Sequence, residues 1–171
     1  MKHSKLPHID LNEYYQFITF RTKKSLDTYL QKIYGYEIEN RKRQMLIDEY
    51  LDRSENGAYL YGDKIETVKE VIWAKNNEWY EMTALAIMPN HIHLLLKQKE
   101  SIGKIMKYIK AKSAIELNKM LGFEGQFWAN DYYDRAIRNE AHFSTVYEYI
   151  LNNPLKAGLR DAEKRVYSKF K

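Results

Sequence analysis

The chain has 171 residues, 44% hydrophobic and 30% charged, a composition that suits one globular domain with a sizeable core and excludes a disordered chain. It has no cysteine, which excludes disulfides and thiolate metal sites, and no run approaches the roughly 18 apolar residues of a membrane span. A net charge of +5 and fifteen tyrosines tilt the expected partner toward polyanions and toward unpaired bases that stack on flat rings.

Residues 1–13 read as a loosely held lead-in without the apolar run of a signal peptide. Tyr14–Thr22 is rich in aromatic and β-branched types and reads as a first strand. Ser25 is placed to cap a helix from near Leu26, with Leu30, Ile33 and Tyr34 at helical spacing. Gly35 interrupts this pattern, which resumes at Met45, Leu46, Tyr50 and Leu51. Within it, Arg41-Lys42-Arg43 reads as a solvated helix face. Ser54–Gly57 is a loop and Ala58–Tyr61 an extended piece. Asp63, with Glu66 three residues on, has the form of a capping box for a helix from Lys64 to about Asn76, burying Ile65, Val68, Val71 and Ile72.

Trp79–Ile87 alternates as a second strand, Pro89-Asn90 makes a turn, and the return strand carries His91 and His93. A helix over Ser101–Leu121 follows, with Ile105, Met106, Ile109, Leu117 and Met120 on its apolar arc and Lys104, Lys107, Lys112 and Lys119 outside it. Phe127–Ile137 is either a fourth strand or an ordered loop. Asn139 caps a last helix over Glu140–Asn152, stopped by Pro154. This order predicts an α+β fold, one mainly antiparallel sheet with helices packed on it.

Two stretches carry chemistry. Side chains alternate along a strand, so His91 and His93 project the same way, within reach of one ion or one phosphate. A bare His-x-His fits two polar side chains on a half-solvated strand equally well. On the last helix, Phe143, Val146, Tyr147, Ile150 and Leu151 form the buried stripe, which places Tyr147 in the core. Tyr149 lies outside that stripe, and Asn153 faces the same way one turn later. A phenol beside a metal-bound phosphate is a competent nucleophile; an ordinary surface tyrosine and a C-capping asparagine are the plainer readings.

Met88-Pro-Asn-His-Ile-His-Leu-Leu-Leu, Phe127-Trp with Tyr132-Tyr-Asp-Arg-Ala-Ile-Arg, and Tyr149-Ile-Leu-Asn-Asn-Pro-Leu-Lys-Ala-Gly158 occur in the order and spacing of one family. Together with Phe17-Ile-Thr-Phe-Arg-Thr22 and the Leu51-Asp-Arg, Gly57, Leu60 pattern, they resemble the REP-associated tyrosine transposases, a branch of the HUH single-tyrosine transposases. The resemblance covers roughly residues 14–160, within one domain spanning 1–171 and with 26–56 as a helical elaboration of unassigned role.

The resemblance implies a ferredoxin-like, RRM-like sheet. It also implies cleavage of single-stranded DNA beside a hairpin, through a 5′-phosphotyrosine intermediate and with a divalent ion, Mg²⁺ or Mn²⁺. It makes Tyr149 the nucleophile and His91, His93 and Asn153 the metal ligands. Lys104, Lys107 and Lys112, with Arg135 and Arg138, are expected on the phosphate-facing surface, and Trp128, Tyr132 and Tyr133 against bases. Single-stranded or hairpin DNA is the expected partner, a second copy of the chain an optional one, and a membrane none. The expected location is the cytoplasm of a bacterial-type cell, on the nucleoid when DNA is bound. Two other functions fit the same residues, a hairpin-DNA binder without transposition activity and an RNA-binding module on the same fold.

Overall fold

The computed structural model describes residues 15–170; the expected lead-in and Tyr14 lie outside them. Five strands, β1 (Tyr15–Arg21), β2 (Tyr80–Ile87), β3 (His91–Gln98), β4 (Tyr133–Ala136) and β5 (Val166–Ser168), form one sheet in the order β4-β1-β3-β2-β5, each pair antiparallel. The 4-1-3-2 order is the ferredoxin-like arrangement, extended by β5 at the β2 edge. The histidine strand is therefore central. Its register sets His93 opposite Thr19 and His91 opposite Arg21.

Five helices complete the order: α1 (Thr28–Tyr34), α2 (Asn40–Arg53), α3 (Asp63–Trp73), α4 (Ile102–Leu121) and α5 (Glu140–Lys156). Helices α3 and α4 cover one face of the sheet, where Ile18, Phe20, Ile92, Leu94 and Leu96 meet Ile65, Val68, Ile105 and Ile109. On the other face Phe17, Ala84, Ala86 and Leu95 pack against Phe143, Tyr147 and Ile150 of α5. The two alanines add only methyl groups, which lets α5 sit close to β2. A β-bulge between Met82 and Ala84 reconciles the two faces: without it both residues would point the same way. Leu30, Ile33, Ile47 and Leu51 form a separate cluster between α1 and α2.

Strands β1 to β3, the Gly35 break and the cap from Asn139, which accepts from the His142 N–H at 2.8 Å, follow the sequence reading, and of the stretch 127–137 only Tyr133–Ala136 is strand. Several boundaries differ for physical reasons. Asp27, not Ser25, caps α1; the buried Ser25 hydroxyl donates instead to the Thr22 carbonyl at 2.7 Å, inside a 3-10 turn. Asp63 is the first residue of α3 rather than its cap, because Gly62 turns the chain with φ 60°. Val71 is only half-buried and Met120 is exposed. Pro154 does not stop α5, which runs on to Lys156 before Gly158 at φ 76°. The short β5 strand lies beyond every element that the sequence pattern predicts.

Arg165, just before β5, is fully buried. Its Nη1 donates to the Leu60 and Ile87 carbonyls at 2.9 Å each, and its Nε to Asp161 at 2.6 Å. Gly57 is needed where it stands: its φ is +65°, and a Cβ there would lie 2.3 Å from Thr22 Oγ1.

Candidate metal centre and nucleophile

On the sheet face under α2 and α5, the His91 and His93 rings lie with centroids 4.8 Å apart, both fully buried. Each Nδ1 is already engaged. His91 Nδ1 sits 2.7 Å from Asn90 Oδ1, and His93 Nδ1 sits 2.7 Å from Thr19 Oγ1. The Asn90 amide in turn donates from Nδ2 to the Leu51 and Ser54 carbonyls at 3.0 and 3.2 Å, which leaves Oδ1 as the acceptor toward His91. Both histidines therefore present Nε2 inward, and neither Nε2 has a hydrogen-bond partner. Burial, with His93 adding to it, holds His91 well below its usual range, and burial pushes His93 down to about 3, so both rings are neutral.

Two carboxylates of α2 face them. Asp48, 5% exposed, forms with His91 and His93 a group whose ligand atoms lie within 4.8 Å of one another. Asp52, one helical turn on, places Oδ1 3.4 Å from His91 Nε2, and that buried oxygen makes no hydrogen bond. Burial pushes both carboxyls up to about 7, against hydrogen bonds from Gln44 and Tyr149 at Asp48 and against the Lys156 charge at Asp52. Two neutral imidazole nitrogens and buried acidic oxygens converging on one point are costly unless a cation completes the set. The donor set fits a divalent ion.

Tyr149 closes the site. It is half-buried, its ring is 5.3 Å from that of His93, and its hydroxyl donates to Asp48 Oδ2 at 3.0 Å. Phe17 stacks on His93 at 5.8 Å and meets Tyr149 edge-on at 6.1 Å, propping both. Burial raises the phenol far above its usual range, and the Asp48 charge and hydrogen bond add to that shift. Tyr147 is 1% exposed and bonds through its hydroxyl to Ser168 of β5. Asn153 is buried beside Tyr149, and its Nδ2 has no partner.

The remaining expected residues divide by sheet face. Lys104, Lys107 and Lys112 ride on α4, whose buried side packs on the face opposite the histidines, so they do not flank the site. Lys104 pairs with Glu100 at 3.0 Å and lies over Trp79. Trp128 is 2% exposed and donates from Nε1 to Ser113, so its rings serve the core and are not open to bases. Tyr132 is half-buried at the edge of that core, with Lys110 over its ring. Tyr133 and Arg135 line the cavity that holds Tyr149, and Arg138 is exposed in the turn before α5.

Asp48 and Asp52 stand outside the residues that the sequence reading selects. The available signal is an acid at position 48 between Ile47 and Leu51, on the buried side of its helix.

Residues 40–153 match the family model described as Transposase IS200 like. A curated protein of Haemophilus influenzae, named for the REP-associated tyrosine transposases, is 27% identical over 104 residues, 53% of this chain and 59% of that protein. This chain thus spans under two thirds of that relative's length. A solved REP-associated tyrosine transposase, bound to a REP hairpin, is similar in fold, with a TM-score of 0.50 at 18% identity over 92% of this chain and 75% of the other.

Proposed function

The chain belongs to the IS200-like transposase family, and from that premise we propose that it cuts and rejoins single-stranded DNA through Tyr149. The observation that carries the proposal is the Tyr149 hydroxyl 3.0 Å from Asp48, itself grouped with His91 and His93. In the forward step the phenol oxygen bonds to phosphorus, and the bond from phosphorus to the 3′ oxygen breaks. The product is a 5′-phosphotyrosine and a free 3′-hydroxyl, which takes up a proton as it leaves. The phenolic proton passes to its nearest acceptor, Asp48 Oδ2. Attack by the 3′-hydroxyl on the phosphotyrosine reverses the step and rejoins a strand.

His91 and His93, through Nε2, and Asp48 would hold a divalent ion, with Asp52 from α2 and the Asn153 side-chain oxygen from α5 as further donors. Bound there, Mg²⁺ or Mn²⁺ would supply Lewis-acid polarisation of the phosphoryl oxygens. Asn90 Oδ1, an acceptor, favours the His91 tautomer that leaves Nε2 bare, and Thr19 Oγ1 orients the His93 ring through Nδ1. Asp48 aims the phenol oxygen, and Phe17 keeps water from the ring faces.

The hairpin bound by the structural relative supports hairpin-forming DNA as substrate. The RNA-module reading is weakened by Trp128, which it needs at the surface and which is buried. The test is incubation with labelled single-stranded hairpin DNA and Mn²⁺ or Mg²⁺, followed by denaturing gel electrophoresis. A detergent-stable adduct is expected from the wild type and none from Tyr149→Phe, which should bind the same DNA with unchanged affinity. Binding without any adduct, in every divalent ion tried, would reduce the protein to a hairpin binder.

A further inference from the structure

A groove of about 420 Å³ separates α2 from α5, with Tyr149 in its wall. The two helices run along it in the same direction. Arg41 lies near His142, Asp48 accepts from Tyr149, and Asp52 feels the charge of Lys156, so the two helices keep step along the groove. Arg41, Met45, Asp48 and Asp52 line one wall and His142, Val146, Tyr149 and Asn153 the other. Both sets have the same 4-3-4 spacing, one face of each helix.

Charge is segregated along this groove. The carboxylates gather at the Tyr149 end, with Lys156 beside Asp52 as the cation there, while the other end collects Arg41 from α2, Arg135 from β4 and His142 from α5. Arg41, Arg135 and His142 line this end together, the Arg138 backbone N–H donates to His142 Nδ1 at 3.2 Å, and burial with the charges of Arg135, Arg41 and Arg138 holds His142 below its usual range. Among the described residues the Arg41 and Arg135 side chains make no ion pair and no hydrogen bond. Like charges gathered without carboxylates repel one another, and an anion relieves that repulsion. From His142 to Tyr149 is seven residues, about 10 Å along the helix axis, a span that a few nucleotides cover. Tyr133 and Met45 add flat and flexible apolar surface between the two ends.

We infer that the Arg41–Arg135–His142 end of this groove binds a phosphodiester of single-stranded DNA, a few nucleotides from the one placed at Tyr149. This rests on the strand-cleavage reading and adds the path of the strand. The triplet Arg41-Lys42-Arg43, read from sequence as a solvated face, thereby contributes its first member to the DNA track. Arg43 does not join it, because its Nη2 donates to the Tyr36 carbonyl at 2.7 Å.

The probe is fluorescein-labelled 12-mer oligothymidine, followed by anisotropy in chelator so that no cleavage occurs. Arg41→Ala/Arg135→Ala should bind at least about tenfold more weakly near 50 mM salt, and its salt slope should flatten by about 0.7 for each phosphate no longer neutralised. Lys64→Ala/Lys119→Ala removes the same charge from the α3–α4 face and should bind within about twofold of wild type. Circular dichroism should be unchanged in both, since neither pair is buried. Equal loss in the two double variants, or no loss in the first, overturns the inference, as does 12-mer oligouridine binding tenfold more tightly than the DNA. The adduct assay on wild type separates this outcome from failure of the cleavage reading: adduct formation with unaffected oligothymidine binding sinks only the subsite. Weakened binding without any adduct keeps the subsite and sinks the chemistry.

Discussion

Asn90 does two jobs with one side chain. Its Nδ2 caps the C-terminal carbonyls of α2 at Leu51 and Ser54, and its Oδ1 holds His91 Nδ1. The turn residue therefore links the helix that supplies Asp48 and Asp52 to the strand that supplies the imidazoles. Asn90→Ala is expected to lower Mn²⁺ affinity about 10- to 100-fold, the usual effect of losing a partner that orients a metal-bound histidine. Calorimetric titration without DNA reads this directly, and unchanged affinity would mean that His91 is held by packing alone. Tyr147 and Tyr149 make a complementary pair. Tyr147→Phe loses one hydrogen bond to Ser168, costing about 1 kcal/mol of stability, and should still form the adduct. Loss of the adduct in Tyr147→Phe and its survival in Tyr149→Phe would exchange their roles.

At the scale of elements, α2 and α5 are both legible as helices, but only in α5 does the sequence show the residue turned toward the site. The stripe from Phe143 to Leu151 sets the rotation of α5, and that rotation alone turns Tyr149 out of the core and toward the histidine face. In α2 the apolar positions Ile47 and Leu51 are few, and Asp48 and Asp52 resemble the solvated acids of any surface helix. Nothing within that helix announces that its acidic edge meets a tyrosine 101 residues away. The two ferredoxin-like helices leave one sheet face open, and α2 and α5 are what close it. The α4 lysines come to lie on the face opposite the histidines for the same reason. Periodicity gives a helix its apolar side but not the sheet face it covers.

Arg165 is equally hidden, because a cation near the end of a chain carries no mark of burial. Its removal in Arg165→Ala leaves the Leu60 and Ile87 carbonyls and Asp161 unpaired and should cost about 2–3 kcal/mol, measurable by urea unfolding. Gly57→Ala forces a Cβ onto Thr22 Oγ1 at a positive φ and should cost about 2–4 kcal/mol by the same assay. A cost below about 1 kcal/mol at either position would show that the surrounding segment shifts freely.

For the whole molecule, the site is a place where stability is given up. Two imidazoles, two acids and a phenol occupy volume on a sheet face that Phe17, Leu95 and Ile150 otherwise fill with apolar contacts. The Nε2 atoms and Asp52 Oδ1 are buried without partners, and each such atom costs on the order of 1–3 kcal/mol. A ligand that binds the folded state and satisfies them must raise the unfolding temperature. At a Mn²⁺ concentration one hundred times its dissociation constant the gain is about 2.7 kcal/mol, which for a chain of this size corresponds to roughly 5–10 °C. His91→Ala and His93→Ala should each abolish most of that rise. Asp48→Asn should reduce it, since the amide keeps one oxygen but no charge, and Tyr149→Phe should leave it intact. Removing an unpartnered imidazole relieves part of the burial penalty, so His91→Ala in chelator should lose less stability than a cavity of its size implies. If Mn²⁺ raises the unfolding temperature of His91→Ala as much as that of wild type, the ion binds elsewhere and the centre described here is structural.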